Sequence, residues 1–307
     1  MIAVYSFSLI CSLLASGIIA RILALKQISY GESLLFKGLS CLGLILLFAF
    51  KNNTSLIPKN GKLQFLRFLL SGTSLGLFTL SYNYLSATGV ATLSNIDIPV
   101  ILLLGFFWGV RASKKTVLAS ITTIFLVIIL AFMSEATLQE NQIKGSILVI
   151  FSSLLICLGY FLINESMKLE NELMVILTPT LGIIAYGLLI KLSPSLLISS
   201  TFPATAVIPA IFSKLNTPTT EVLQNILLYL TSGASMFGAY IFTMKLYKLL
   251  DISLAEFPTL LSTLLIQPVE YFLIGEKFNL SYFLITLIII VFVIILLKTN
   301  TQEQERL

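Results

Sequence analysis

Five polar side chains recur along one apolar stretch near the C-terminal end: Glu256, Thr259, Thr263, Gln267 and Glu270. Their offsets of 0, 3, 7, 11 and 14 residues place them on one face of a helix. Such a stripe must face a water-filled cavity or another helix, because lipid offers its donors and acceptors no partner. A second polar group lies in residues 84–109, YLSATGVATLSNIDIPVILLLGFFWG, where Ser94, Asn95 and Asp97 precede Pro99. Proline removes a helix donor and disfavours helical backbone at Ile98. A carboxylate at bilayer depth costs roughly 2.5–3.5 kcal/mol on insertion scales. A charge beside a break of this kind marks a midplane site that binds a polar solute or exchanges a proton or cation. Pro258 and Pro268 break the striped helix near its two carboxylates, so Pro99, Pro258 and Pro268 are expected to be hinges. The competing structural reading has Asp97 capping the backbone freed at Pro99, and Glu270 in an ion pair with Lys37 at the same estimated depth.

Tyr82, Asn83 and Tyr84, with Tyr240, Thr243 and Tyr247, could stack on and hydrogen-bond a flat solute. Interfacial aromatic anchoring is the favoured role for Tyr84, Tyr247 and Trp108. Gly72-Thr-Ser74-Leu-Gly76 fits a serine-nucleophile pattern, but the chain has no histidine to serve as base. Its glycines, like Gly105 and Gly109, suit close helix packing instead. The two aspartates, Asp97 and Asp251, lack the flanking glycines of an intramembrane aspartyl protease, and Asp251 reads as a helix N-cap. Cys11, Cys41 and Cys157 all lie in apolar runs and are expected to pack as small apolar groups. No metal set, cofactor motif or nucleotide-binding motif is present, so an enzyme is not expected.

The elements that must position these residues follow from composition. The chain has 307 residues, 57% apolar and 11% charged, with a mean hydropathy of +1.00. That excludes a water-soluble domain. Its net charge of +5 is spread over the gaps between apolar runs, which excludes a nucleic-acid-binding patch. At about 20 residues per span, ten helices are expected near 2–22, 32–50, 65–84, 88–109, 115–133, 144–163, 173–191, 223–247, 252–274 and 280–298. No basic residue precedes Arg21, so the first run is read as a retained span and not a signal peptide. Residues 193–221 carry Pro194, Pro203, Pro209 and Pro218. Treating them as an excursion puts 12 of the 19 basic residues on the N-terminal side of the membrane, whereas an eleventh span there would leave 10. The positive-inside bias therefore favours ten spans, with both termini, including the 299–307 tail, cytoplasmic.

The chain also repeats itself. GVRASKKTVLASITTIFLVIIL (109–130) aligns with GEKFNLSYFLITLIIIVFVIIL (275–296), SGTS (71–74) with SGAS (232–235), and YLSATGVA (84–91) with LLDISLAE (249–256). Five spans per half put the halves, 1–134 and 144–298, in opposite orientation, an arrangement used by many secondary transporters.

Five plus five spans, each half closed by a Gly-x-basic turn before its last span, resembles the EamA branch of the drug/metabolite transporter superfamily. Gly275-Glu276-Lys277 is similar to that family's Gly-Glu-basic turn, and Gly109-Val110-Arg111 is a degenerate copy. Pro99 falls where the family has a mid-span proline, Lys37 where its second span usually has Arg, and Arg67 where a basic residue often enters span three. The resemblance implies an all-α integral membrane protein of the bacterial inner membrane, ten helices in two inverted five-helix repeats. It implies a secondary transporter moving a small organic metabolite by alternating access: an amino acid, or a nucleoside-like or S-adenosylmethionine-like solute. Its partners would be that solute, the bilayer and a coupling proton or cation, with the chain a monomer or homodimer. A membrane-embedded enzyme and a non-transporting scaffold are the alternatives.

Overall fold

A computed structural model describes residues 1–107, 117–118, 120–125, 127, 140–192, 218–250, 255, 257–278 and 280–304. All of its regular structure is helical: α1 (Ile2–Leu25), α2 (Tyr30–Lys51), α3 (Gly61–Ser81), α4 (Ala87–Ser94), α5 (Asp97–Phe107), α6 (Glu140–Leu169), α7 (Glu172–Leu192), α8 (Pro218–Tyr247), α9 (Phe257–Ile274) and α10 (Leu280–Gln304). Eight spans among the described residues are long and apolar enough to cross a membrane, the broken one, Ala87–Leu104, counting once. The chain is thus an α-helical protein of transmembrane character. Most of the expected fifth span, Trp108, Asp251, Glu256 and nearly all of the Pro-rich excursion lie outside the described residues.

Polar side chains of these helices turn inwards, into a core that is otherwise apolar, and large apolar side chains cover the outside. On α3 the buried residues are Gln64, Arg67, Ser71, Gly72, Ser74, Gly76, Thr79 and Ser81, while Phe65, Leu66 and Leu69 point outwards. Leu46, Leu47, Phe151, Leu189, Leu227 and Phe272 are likewise exposed on other helices. Hydrocarbon solvates such faces at no cost, whereas an exposed hydroxyl or amide there would lose its hydrogen bonds.

The chain order is not the packing order. Tracing the main packing partners gives the circuit α1, α8, α2, α7, α3, α6, the broken span α4–α5, α9 and back to α1. Helix α10 packs outside it against α9, with the Thr286 and Thr92 hydroxyls hydrogen-bonded at 3.0 Å. Small residues let the circuit close tightly. A Cβ on Gly72 would lie 2.8 Å from the backbone of Gly182 in α7, and one on Gly233 would lie 2.7 Å from the amide nitrogen of Cys41 in α2. Gly76 packs on Tyr186, so the Gly72–Gly76 pair is a packing face, as its spacing predicts. Cys41 and Cys157 are buried, but Cys11 is exposed, against the expectation of packing for all three. It sits one helical position off the buried stripe of α1.

Local signals set the helix ends. Ser29 Oγ accepts from the Glu32 amide, Asn60 Oδ1 from Leu63 and Asn171 Oδ1 from Met174, each taking an amide that no helical carbonyl can reach. Gly275 ends α9 with φ +80, a backbone conformation glycine adopts without strain.

Candidate functional site

Inside the circuit lies a cavity of about 240 Å³, lined from all eight members of the ring. Its chemistry comes from Lys37 on α2, Arg67 on α3, Asp97 at the start of α5 and the hydroxyls of Ser94, Thr259 and Thr263. Tyr82, Tyr160, Tyr240 and Phe78 supply aromatic walls.

The break that presents Asp97 is where the sequence places it. Helix α4 stops at Ser94, Asn95 and Ile96 form a turn, and Asp97 opens α5. Pro99 falls in the first turn of α5, where a missing N–H costs nothing. The Asp97 carboxylate thereby gains a helix N-terminus, which favours negative charge, and the Cys157 thiol reaches its backbone carbonyl at 3.4 Å. Asn95 is buried behind the lining; its Oδ1 accepts from Thr263 Oγ1 at 3.3 Å, and its Nδ2 has no hydrogen-bond partner among the described residues.

The stripe on α9 divides in two. Thr259 and Thr263 face the cavity. Gln267 is buried beyond it, and Glu270, 2% exposed, is committed elsewhere. Its carboxylate accepts from the amides of Ala87 at 2.7 Å and Thr88 at 2.9 Å, and from the Thr88 hydroxyl at 2.6 Å. Ser86 Oγ takes the next amide, that of Gly89, at 3.0 Å. Glu270 and Ser86 together satisfy the first three donors of α4. The ion pair of Glu270 with Lys37 is not formed; Lys37 Nζ donates instead to Ser16 Oγ at 3.1 Å. Two anchoring amides and a helix end compensate the carboxylate better than one distant ammonium.

Arg67 is 0% exposed, and an unexpected proline fixes it. Pro179 lies inside α7 and has no N–H to offer the carbonyl of Val175, four residues earlier. Arg67 Nη2 donates to that carbonyl at 2.7 Å. Its Nη1 donates at 3.0 Å to Gln64 Oε1, which also accepts from Thr178 Oγ1 at 2.7 Å.

At one end of the cavity, Arg21 ties three helix ends together. Its Nε donates to Glu276 Oε1 and its Nη1 to the carbonyl of Tyr82, both at 2.8 Å. Helices α1, α9 and α3 meet there. At the opposite end, the rings of Tyr160 on α6 and Tyr247 on α8 meet edge to face at 6.1 Å. Tyr247, the last residue of α8, thus packs on a residue of the cavity lining. Pro258 lies in the first turn of α9 and Pro268 in its interior. Asn83 sits in the turn after α3, off the cavity lining.

No protein-family model matches the chain, and no curated protein matches it. A solved structure described only as "Crystal structure of protein" superposes with a TM-score of 0.63 at 11% identity, covering 98% of each chain. At that identity the likeness concerns the fold alone.

Of the residues expected at a site, Asp97, Ser94, Thr259, Thr263, Tyr82 and Tyr240 meet around one cavity. Asn95 and Gln267 are buried outside its lining, Glu270 caps α4, and Glu256 falls outside the described residues. The site reading missed Lys37, Arg67 and Tyr160. A signal existed for the two cations, since both lie inside apolar spans, where a charge needs a reason. Cysteine at Thr259 or Thr263 should react at least tenfold faster with a small water-soluble thiol reagent than cysteine at Leu260, which is fully buried, or Leu265, which faces outwards. Equal rates around α9 would mean the cavity holds no water.

Proposed function

We propose that the chain is a secondary transporter of the inner membrane, similar to the EamA branch of the drug/metabolite transporters, which carries a small organic metabolite by alternating access. The observation that carries this reading is the packing circuit. Exchange each helix for the one five spans later: α1 for α6, α2 for α7, α3 for α8 and the broken span for α9. The circuit then maps onto itself. The exchange also matches small details. Gly72 and Gly233 each make a close crossing, and two residues on, Ser74 Oγ donates to the Ser71 carbonyl as Ser235 Oγ does to that of Ser232. These matches support two inverted halves, 1–134 and 144–298, completed to ten spans by the fifth and by α10; the charge bias of the gaps favours both termini cytoplasmic and 193–221 on the outer side.

A cavity at the pseudo-twofold axis needs a barrier at each end. Arg21 joins α1 to α3, which stand opposite each other in the circuit, and Tyr160 with Tyr247 joins the exchanged pair, α6 and α8. In this reading the two contacts open in turn, and Asp97 carries the coupling proton or cation.

The test uses proteoliposomes of uniform orientation. Thr259→Cys protein should be modified by an impermeant thiol reagent from either side. Adding Glu276→Gln removes the charge partner of Arg21 and should raise the rate several-fold from the Arg21 side alone. Labelling confined to one side under every condition would sink alternating access.

A further inference from the structure

We propose that the cavity recognises an oxyanion, the carboxylate or phosphate of a small aromatic solute, through Lys37 and Arg67; this rests on reading the cavity as a solute site. Both cations line the cavity, and both are buried, Lys37 with 8% and Arg67 with 0% of its surface exposed. Neither forms an ion pair among the described residues. Glu170 is near enough to Arg67 to interact electrostatically, but its carboxylate is held by the amides of Lys59 at 2.7 Å and Asn60 at 3.1 Å.

Counting donors shows what is left over. An ammonium has three N–H groups and a guanidinium five. Lys37 spends one on Ser16. Arg67 is clamped through Nη1 and Nη2, and its buried Nε has no hydrogen-bond partner. Two desolvated cations with donors unspent and a single carboxylate, Asp97, leave the described lining with more positive than negative charge; Glu170, which partly compensates Arg67, lies outside that lining. Removing such charges from water is costly unless an anion compensates them, and an oxyanion supplies acceptors for charge-assisted hydrogen bonds. The Pro179–Val175–Arg67 clamp and the Ser16 contact hold the two side chains before any ligand arrives, so little ordering is lost on binding. Tyr240 also lines the cavity and is close enough to Arg67 to interact with it electrostatically. Phe78, Tyr82 and Tyr160 complete an aromatic wall suited to a flat apolar body.

The test is thermal unfolding of the purified chain in a zwitterionic detergent at constant ionic strength, with three aromatic probes of similar size: 3-phenylpropionate, phenyl phosphate and phenethylamine. One or both anions should raise the midpoint in proportion to the logarithm of concentration, and their order tells carboxylate from phosphate. Phenethylamine should not. Lys37→Met should weaken the anion's apparent affinity at least tenfold, and Lys37→Arg should restore most of it. No shift with either anion, an equal shift with phenethylamine, or an undiminished shift in Lys37→Met would overturn the proposal. A shift produced only by phosphatidylglycerol micelles would also overturn it, in favour of a lipid headgroup. The wild-type comparison decides the matter even if a variant fails to fold. Anion binding without flux in proteoliposomes would leave this inference standing and remove the transport reading. Flux of an amine unaffected by Lys37→Met would do the reverse.

Discussion

Asp97→Asn should abolish driven accumulation of substrate while leaving the protein folded and downhill exchange intact. Asp97 opens α5 at the break in its span and lines the cavity. Its carboxylate is half-buried there, so a change of access changes its solvation, and with it the balance between its charged and neutral forms. A group of that kind can pick up a proton or cation on one side and release it on the other. Asparagine keeps the shape and still accepts hydrogen bonds at a helix start, so the α4–α5 break should survive. What it lacks is the charge. Moving one elementary charge through 100 mV supplies about 2.3 kcal/mol, equivalent to an accumulation of about 50-fold. Without coupling the ratio should fall to about one. Proteoliposomes with an imposed potential and pH gradient, loaded or unloaded with substrate, measure both quantities. Accumulation by Asp97→Asn at the wild-type level, with the same pH dependence, would make Asp97 a structural residue beside Pro99.

Glu270→Ala should have the opposite profile, with the damage falling on stability. The side chain accepts three hydrogen bonds from Ala87 and Thr88 at a helix start with no other protein acceptor for those amides among the described contacts. Truncation leaves two buried amides and a hydroxyl unsatisfied, at about 1–3 kcal/mol each before relaxation. A net loss of about 3 kcal/mol is a conservative expectation, equivalent to a midpoint lowered by about 5 °C for a chain of this size. Thr88→Val removes one of the three bonds and should cost about 1 kcal/mol. Glu270→Gln keeps an acceptor but turns a donor towards one of the same N–H groups, so it should fall between the two. Thermal unfolding in detergent orders the three variants. A Glu270→Ala midpoint equal to wild type would mean that water replaces the carboxylate at no cost, and the cap would not matter.

The two acidic residues look alike in the sequence. Each lies in an apolar span next to a proline, and both read as site candidates. They separate only in three dimensions, because α4 begins a new helix after the α3 turn, and the start of α4 happens to pack on the end of α9. Nothing in the neighbourhood of Glu270 in the sequence announces that its partners are Ala87 and Thr88. Likewise Pro179 reads as an ordinary helix-interior proline. Its consequence, a free carbonyl at Val175 that holds Arg67, depends on α3 and α7 being neighbours.

The sequence by itself determined the helical, transmembrane character of the chain, because 3.6-residue periodicity, run length and apolar composition are local properties that a bilayer reads directly. It also determined the break at Asn95–Ile96, which follows from Pro99 within one turn; the caps at Ser29, Asn60 and Ser86 are as local, but the apolar runs that set the expected spans begin later, at 32, 65 and 88. The inward direction of the α9 stripe was equally local. The circuit of helices was decided only by the tertiary structure, as were the cavity it encloses and the division of the carboxylates into one that lines the cavity and one that caps a helix. Those depend on which helices touch. In lipid, that choice is made by close packing of small residues such as Gly72 on Gly182 and by hydrogen bonds between residues more than a hundred positions apart, and neither leaves a periodic trace in the chain.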